Sequence, residues 1–143
     1  MSIDYSKLKT IKIGFIENKA RYINPQLSTK LTDKIQQKIV NQTKLTRTNN
    51  DDASLQLSGY ISNYDPSQTV GISDAQSVTN RLTVTVHINV KNTVDKTNQE
   101  FDVTRNFDFS ATQSLQDVEG KLIDEQVLPT IVDAIFNKLF SNW

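Results

Sequence analysis

The sequence predicts an α+β fold: a two-layer sandwich in the order β-α-β-β-β-α, with a mixed four-stranded sheet and two helices on one face. Three observations predict it. The strand-like segments alternate apolar and polar residues, so each has one buried face. The two helical segments carry one-sided apolar stripes. The length, 143 residues and 16.2 kDa, fits a single domain (residues 1–143) able to bury a core without staples. With one apolar face per strand and one stripe per helix, both helices must cover the same side of the sheet.

Ile11, Ile13 and Phe15 alternate with Lys12 and Gly14, which predicts a first strand with those three side chains inward. Asn24-Pro25 opens a helix, Asn as N-cap and Pro at the first helical position, where its missing N–H has no partner to lose. Leu27, Leu31, Ile35 and Ile39 form its apolar stripe, and the helix should end near Gln42. Arg47 to Asp52 is a turn by composition. Ala53, Leu55, Leu57, Gly59 and Ile61 alternate with Ser54, Gln56, Ser58, Tyr60 and Ser62, giving the second strand. Asp65 to Asn80 has few apolar residues and reads as a long loop.

The third strand is the most regular. Leu82, Val84, Val86, Ile88 and Val90 alternate with Arg81, Thr83, Thr85, His87, Asn89 and Lys91. Asn92 to Gln99 supplies a hairpin turn, and Phe101, Val103, Phe107 and Phe109 mark the fourth strand. Arg105 falls on its apolar side. Ser114, with Asp117 three residues on, caps the last helix, whose face continues through Val118, Leu122, Ile123 and Val127. Pro129 lacks a donor and clashes with the carbonyl four residues back, so the helix should bend between Glu125 and Leu128. Beyond it lie Ile131, Val132, Ile135, Phe136, Leu139 and Phe140. The first two strands flank a helix and should run parallel if they share the sheet; the later ones meet through hairpins.

Composition narrows the function. Sixteen basic residues balance sixteen acidic ones, and no basic run is present, which argues against nucleic-acid binding. No stretch approaches the ~20 apolar residues of a membrane helix. Without cysteine there is no disulfide, thiolate nucleophile or Cys-based metal site. His87 stands alone, with no serine or carboxylate at a recognisable motif spacing. No nucleophile with a base, no cofactor motif and no metal-ligand spacing is found, so the chain reads as non-enzymatic. Asp117, Glu119, Asp124 and Glu125 read as a solvated helix face, with Lys121 and Glu125 as an i,i+4 pair. Thr, Asn, Ser and Gln together make 51 residues, and many fall on the uncovered sheet face. That face carries Ser54, Gln56, Ser58, Tyr60, Ser62, Thr83, Thr85, His87, Asn89, Asp102, Thr104 and Asn106. It is either a plain solvated face or a surface that lies against another polar protein wall.

An ordered set of residues resembles a known family. It runs Ile11-x-Ile13, Asn18, Pro25-x-Leu27 with Leu31-Thr32, then Ala53-x-Leu55-x-Leu57-x-Gly59-x-Ile61-x-x-Tyr64. It continues through Gln76, Asn80-Arg81-Leu82-Thr83-Val84-x-Val86, Leu115-x-x-Val118-Glu119 and Ile135-Phe136 to Trp143. The set is similar to the lipopolysaccharide-assembly lipoprotein family LptE, in a divergent branch ending in Trp. The resemblance implies four strands with two helices on one face. It also implies a non-enzymatic role: a plug inside the LptD β-barrel, held at the outer membrane by an acylated N-terminal Cys, that helps insert lipopolysaccharide into the outer leaflet.

Two departures shape the transfer. This chain lacks the lipobox Cys and opens Met1-Ser2-Ile3-Asp4, so a leader with a Leu-x-x-Cys-like lipobox is expected upstream. The family contacts lipopolysaccharide through basic residues in two segments that here read Ser67-Gln68-Thr69-Val70-Gly71 and Ala111-Thr112-Gln113-Ser114. Neither holds Lys or Arg, so no lipid-contacting residue carries over. Arg81 and Lys91 remain as anion-contact candidates, with Tyr60, Thr83, Thr85 and His87 as partner-facing ones. The alternative is an independent periplasmic lipid- or small-ligand-binding protein, which needs an apolar cavity between helices and sheet.

Overall fold

The computed structural model describes residues 3–70 and 79–140. Gly71, Gln76 and Trp143, and the middle of the expected 65–80 loop, lie outside the described residues. The elements are β1 (Thr10–Ile13), β2 (Glu17–Asn18), α1 (Leu27–Gln42), β3 (Thr46–Arg47), β4 (Leu55–Val70), β5 (Thr79–Asn92) and β6 (Thr97–Ser110). Then come α2 (Leu115–Leu122), a π-helical turn (Ile123–Val127) and α3 (Leu128–Phe140).

The sheet is open and mixed, with six strands rather than four, in the order β3-β1-β4-β5-β6, and β2 also pairs with β4. The two extra strands, β2 and β3, are two residues each, too short to leave an alternation in the sequence. The β3 pairing falls on Thr46–Arg47, so the expected turn begins later. β1 runs parallel to β4, joined through α1, while β4–β5 and β5–β6 are antiparallel. The inner faces of the strands and the stripes of α1 and α3 merge into one core. Leu27, Leu31, Ile35 and Ile39 are all buried, as their spacing predicts.

Phe15 corrects the first-strand reading. Ile13 aligns with Leu57, but Glu17 aligns with Tyr60, so the chain gains one residue on β4 between the two pairings. Because side chains alternate, the slip turns Phe15 outward (57% exposed) and Ile16 inward (0%). The Ile16 amide leaves the ladder and donates to Thr32 Oγ1 of α1 at 3.0 Å. That buried hydroxyl in turn donates to Ser28 O at 2.8 Å.

β4 carries two further slips, between Ile61 and Asn63 and between Asp65 and Gln68. They allow the strand to run on to Val70, where the composition predicts a loop, and Pro66 sits at the second slip, where a missing donor is tolerated. The first slip takes Tyr64 inward and puts Asn63 and Asp65, rather than the row beyond Ser62, on the outer face. Gly59 lies where a Cβ would meet His87 O at 2.3 Å, so β4 and β5 approach too closely there for any side chain.

α1 begins at Leu27, not Pro25. Asn24 Oδ1 accepts from the Gln26 amide and Asn24 O from the Leu27 amide, so Asn24 caps a preceding turn. Ser114 does cap α2, accepting from the Asp117 amide. Pro129 produces a π turn: the Leu128 amide reaches back five residues to Ile123 O. Widening the helix there removes the Pro clash without breaking the rod. Among the described residues Lys121 and Glu125 form no ion pair, and Asp124 pairs with Lys30 of α1 at 2.9 Å. Lys38 and Asp133 form a second bridge between α1 and α3 at 2.8 Å.

Tyr64 ties α2 to the sheet. Its hydroxyl donates to Glu119 Oε2 at 2.5 Å, and Tyr22 stacks on its ring at 5.3 Å. Burial, and then the Glu119 carboxylate, push the Tyr64 phenol far above its ordinary value of 10.0. The fold therefore holds the protonated phenol, while the unfolded chain ionises near 10.0. This contribution is complete below that pH and is lost as pH rises above it.

Two outcomes are expected. Ile16→Ala should cost about 2–5 kcal/mol by denaturant unfolding, and Phe15→Ser less than about 0.5 kcal/mol; the opposite ranking would refute the slip. The melting temperature should fall as pH rises above 10.0, and Tyr64→Phe should flatten that fall. An equal fall in both proteins would refute the assignment to Tyr64.

Candidate docking face

Paired residues in a sheet point to the same side, so the register defines the uncovered face row by row. One row runs Glu17–Tyr60–His87–Asp102 across four strands. The next rows are Asn63–Thr85–Thr104 and Asp65–Thr83–Asn106, and Arg81 with Asp108 closes the series. Four of the predicted candidates, Arg81, Thr83, Thr85 and His87, thus line up along β5.

These residues bond to each other. Arg81 donates to both carboxylate oxygens of Asp108, at 2.8 and 3.3 Å. Thr83 Oγ1 donates to Asn106 Oδ1 at 2.9 Å. The hydroxyls of Thr85 and Thr104 are 2.9 Å apart. His87 Nδ1 is 2.7 Å from Asp102 Oδ1, and Nε2 is 4.0 Å from Glu100 Oε2. The result is a side-chain ladder down the β5–β6 hairpin. His87 is therefore not simply solvated; its partner lies 15 residues away, visible only once the hairpin register is known.

Tyr60 extends the row. Its ring lies 5.1 Å from that of His87, and Lys19 Nζ sits 4.7 Å above it. With Phe15, Glu17 and Glu100 these residues line an open groove of about 620 Å³. Phe15, Glu17 and Lys19 are members of the face that periodicity misses. The adjacent Phe15-Ile16 pair, which breaks the alternation after Gly14, is the available signal.

Lys91 stands apart. It is exposed near the hairpin end, with Thr93, Lys96 and Asn98 around a separate groove. Ten residues separate it from Arg81, roughly 33 Å along a strand at about 3.3 Å per residue. The two cations cannot grip one phosphate. Arg81 is also committed to Asp108, whose carboxyl it holds below the usual range.

Among the described residues, no cluster of three metal-ligating side chains occurs. No described helix is long and apolar enough to cross a membrane. The fold and its face define a class: a two-layer α+β domain presenting one hydrogen-bonded sheet face. The family model for lipopolysaccharide assembly, LptE, matches residues 8–139, and the chain belongs to that family. The family is one of non-enzymatic assembly lipoproteins, and membership gives the chain a role in lipopolysaccharide assembly.

Solved structures share the fold. A minor lipoprotein from Acinetobacter baumannii superimposes with a TM-score of 0.62 at 14% identity, covering 94% of each chain. The rare lipoprotein B from Shewanella oneidensis gives 0.55 at 16% identity, covering 91% of this chain and 92% of that one. The hypothetical protein CT253 from Chlamydia trachomatis gives 0.58 at 10%, covering 94% and 99%. No curated protein matches the chain.

Asp108 yields an expected outcome. Its native pKa is depressed, so its pairing stabilises the fold above the ordinary value of 3.8 and is lost as pH falls through the native one. Arg81→Gln should melt below the parent at neutral pH and level with it in strong acid. A gap that persists well below pH 3.8 would refute the pairing.

Proposed function

We propose that this chain is an outer-membrane lipoprotein, facing the periplasm and lipid-anchored at its N-terminus, that plugs and supports an LptD-type β-barrel. In that role it helps insert lipopolysaccharide into the outer leaflet. The observation that carries the reading is the uncovered polar face. Barrel lumens are polar, so a plug needs a surface that a wet wall can accept. The two middle rungs of the ladder, Thr83–Asn106 and Thr85–Thr104, consist of neutral hydroxyl and amide groups, cheaper to desolvate than unpaired charges. Those groups already bond to one another, so their rotamers are ordered before a partner arrives, which reduces the entropy lost on docking.

Arg81, Thr83, Thr85, His87 and Tyr60 are the face residues assigned to the barrel wall in this reading. Lys91, at the hairpin end, is the exposed candidate for an anionic headgroup. The carrier alternative fares worse. It needs an apolar cavity between helices and sheet. The apolar cleft under α1 and α3, lined by Ile35, Ile39, Val132, Ile135, Phe136 and Leu139, has no room for water. The hollow of about 360 Å³ between the same helices is open and lined largely by polar side chains, Lys34, Gln37, Lys38, Asn41 and Asp124 among them.

The test is co-expression with the LptD-type barrel of the same genome. Tagged barrel should recover the parent chain. Thr83→Lys combined with Thr85→Lys should reduce recovery about tenfold or more, because two uncompensated charges would be desolvated. A solvent-face change on α1, such as Gln37→Lys, should not. Equal recovery of the face variant, or no recovery of the parent, overturns the plug reading.

A further inference from the structure

We propose that the free edge of β6 is a docking site for an extended, basic segment of another polypeptide, which adds to the sheet as a further strand. This concerns the sheet's edge rather than its face, and does not depend on the plug reading.

β6 ends the strand order, and among the described residues it pairs only with β5. It is 14 residues long. Its register with β5 is unbroken from Thr79↔Ser110 to Asn92↔Thr97, with no bulge, and it contains no proline. The opposite edge, β3, has two residues. Natural proteins blunt long edges with prolines, bulges or short strands, because exposed main-chain donors and acceptors recruit other strands. β6 has none of these; the device it does carry is one inner-side charge, Arg105, so its main-chain groups are presented for pairing on either side of that residue.

Charge selects the occupant. On the outer side the edge carries Glu100, Asp102 and Asp108. Arg81 neutralises Asp108. Among the described residues Asp102 meets only His87, and Glu100 only that same ring at 4.0 Å; their side chains are 61% and 55% exposed. On the inner side Arg105 is exposed, its guanidinium donating to Thr104 O at 2.7 Å.

A second copy of the chain meets like charges in several registers. An antiparallel pair centred on Arg105 sets Asp102 against Asp108 and Arg105 against itself. One centred on Thr104 sets Glu100 against Asp108. A parallel in-register pair stacks every charge on its like. Like charges directly opposite destabilise a strand pair. Those registers disfavour self-pairing, while a strand with Lys or Arg at alternate positions can face Glu100 and Asp102 with opposite charge.

The test uses the full chain, ¹⁵N-labelled, titrated with a blocked peptide of alternating lysine and valine about eight residues long, the span of an ordinary strand. Saturable amide shifts should centre on residues 98–108. The matching glutamate–valine peptide should produce none. Glu100→Lys combined with Asp102→Lys should weaken the lysine peptide about tenfold or more. Equal binding of both peptides, shifts centred on the Phe15 groove, or unchanged affinity of the double variant each overturn the proposal. If the double variant unfolds, the comparison of the two peptides on the parent still decides. Barrel recovery is read with the Thr83 and Thr85 variant and edge pairing with the peptides on the parent chain, so either proposal can fail while the other stands.

Discussion

The two-residue period of a β-strand governs this molecule. One extra residue inverts every side chain beyond it, and the chain uses that inversion three times. Between Ile13 and Glu17 it sends Phe15 to the outer face and buries Ile16. Beyond Ile61 it buries Tyr64, which then reaches Glu119 of α2. Around Pro66 it lets β4 continue past a residue that cannot donate to the ladder. Each slip frees backbone or side-chain groups, and the helix layer meets some of them: Thr32 accepts the Ile16 amide, and Glu119 accepts the Tyr64 hydroxyl.

β5 and β6 behave in the opposite way. Their register never slips, so identical parity holds for 14 pairs, and the outer side chains meet rung by rung. A face built this way is ordered by its own cross-strand bonds rather than by a covering layer. A rigid polar surface of this kind has little left to arrange when it meets another polar surface. The helix layer works differently. α1 and α3 bury the apolar half of the sheet, and Lys30–Asp124 and Lys38–Asp133 tie α1 to the C-terminal helical rod at the rim. Exposed pairs of that kind contribute little to stability; the apolar seam beneath them does most of the holding.

What is legible in the sequence follows from the same period. Leu82 to Val90 reads correctly because nothing interrupts it, and so do the α1 stripe and the Ser114 cap. The parallel pairing of β1 with β4 follows from the helix between them. Phe15 escapes local reading because a slip is set by pairing with a distant strand, not by composition. The Asp65–Val70 segment resembles a loop because its alternation is polar on both sides and broken by Pro66. β2 and β3 leave no trace because two residues cannot show a period. On the face, residue types are readable but partners are not: His87–Asp102 and Arg81–Asp108 depend on a hairpin register that only the turn geometry fixes. Pro129 announces a disturbance of the helix, and the form it takes is a widened turn at Ile123–Val127.

The contrast between the two halves of the sheet also sets an order in time. β5 and β6 are joined by only the residues 93–96, so their first rungs close a very short loop. β1 must find β4 with Ile11 and Leu55 separated by 44 positions, and with α1 in place between them. Loop closure costs more chain entropy as separation grows, and non-local parallel pairing is slow. The hairpin that carries the polar ladder is therefore the natural nucleus, zipping outward from its turn at Lys96, whose φ of 58° marks the left-handed position.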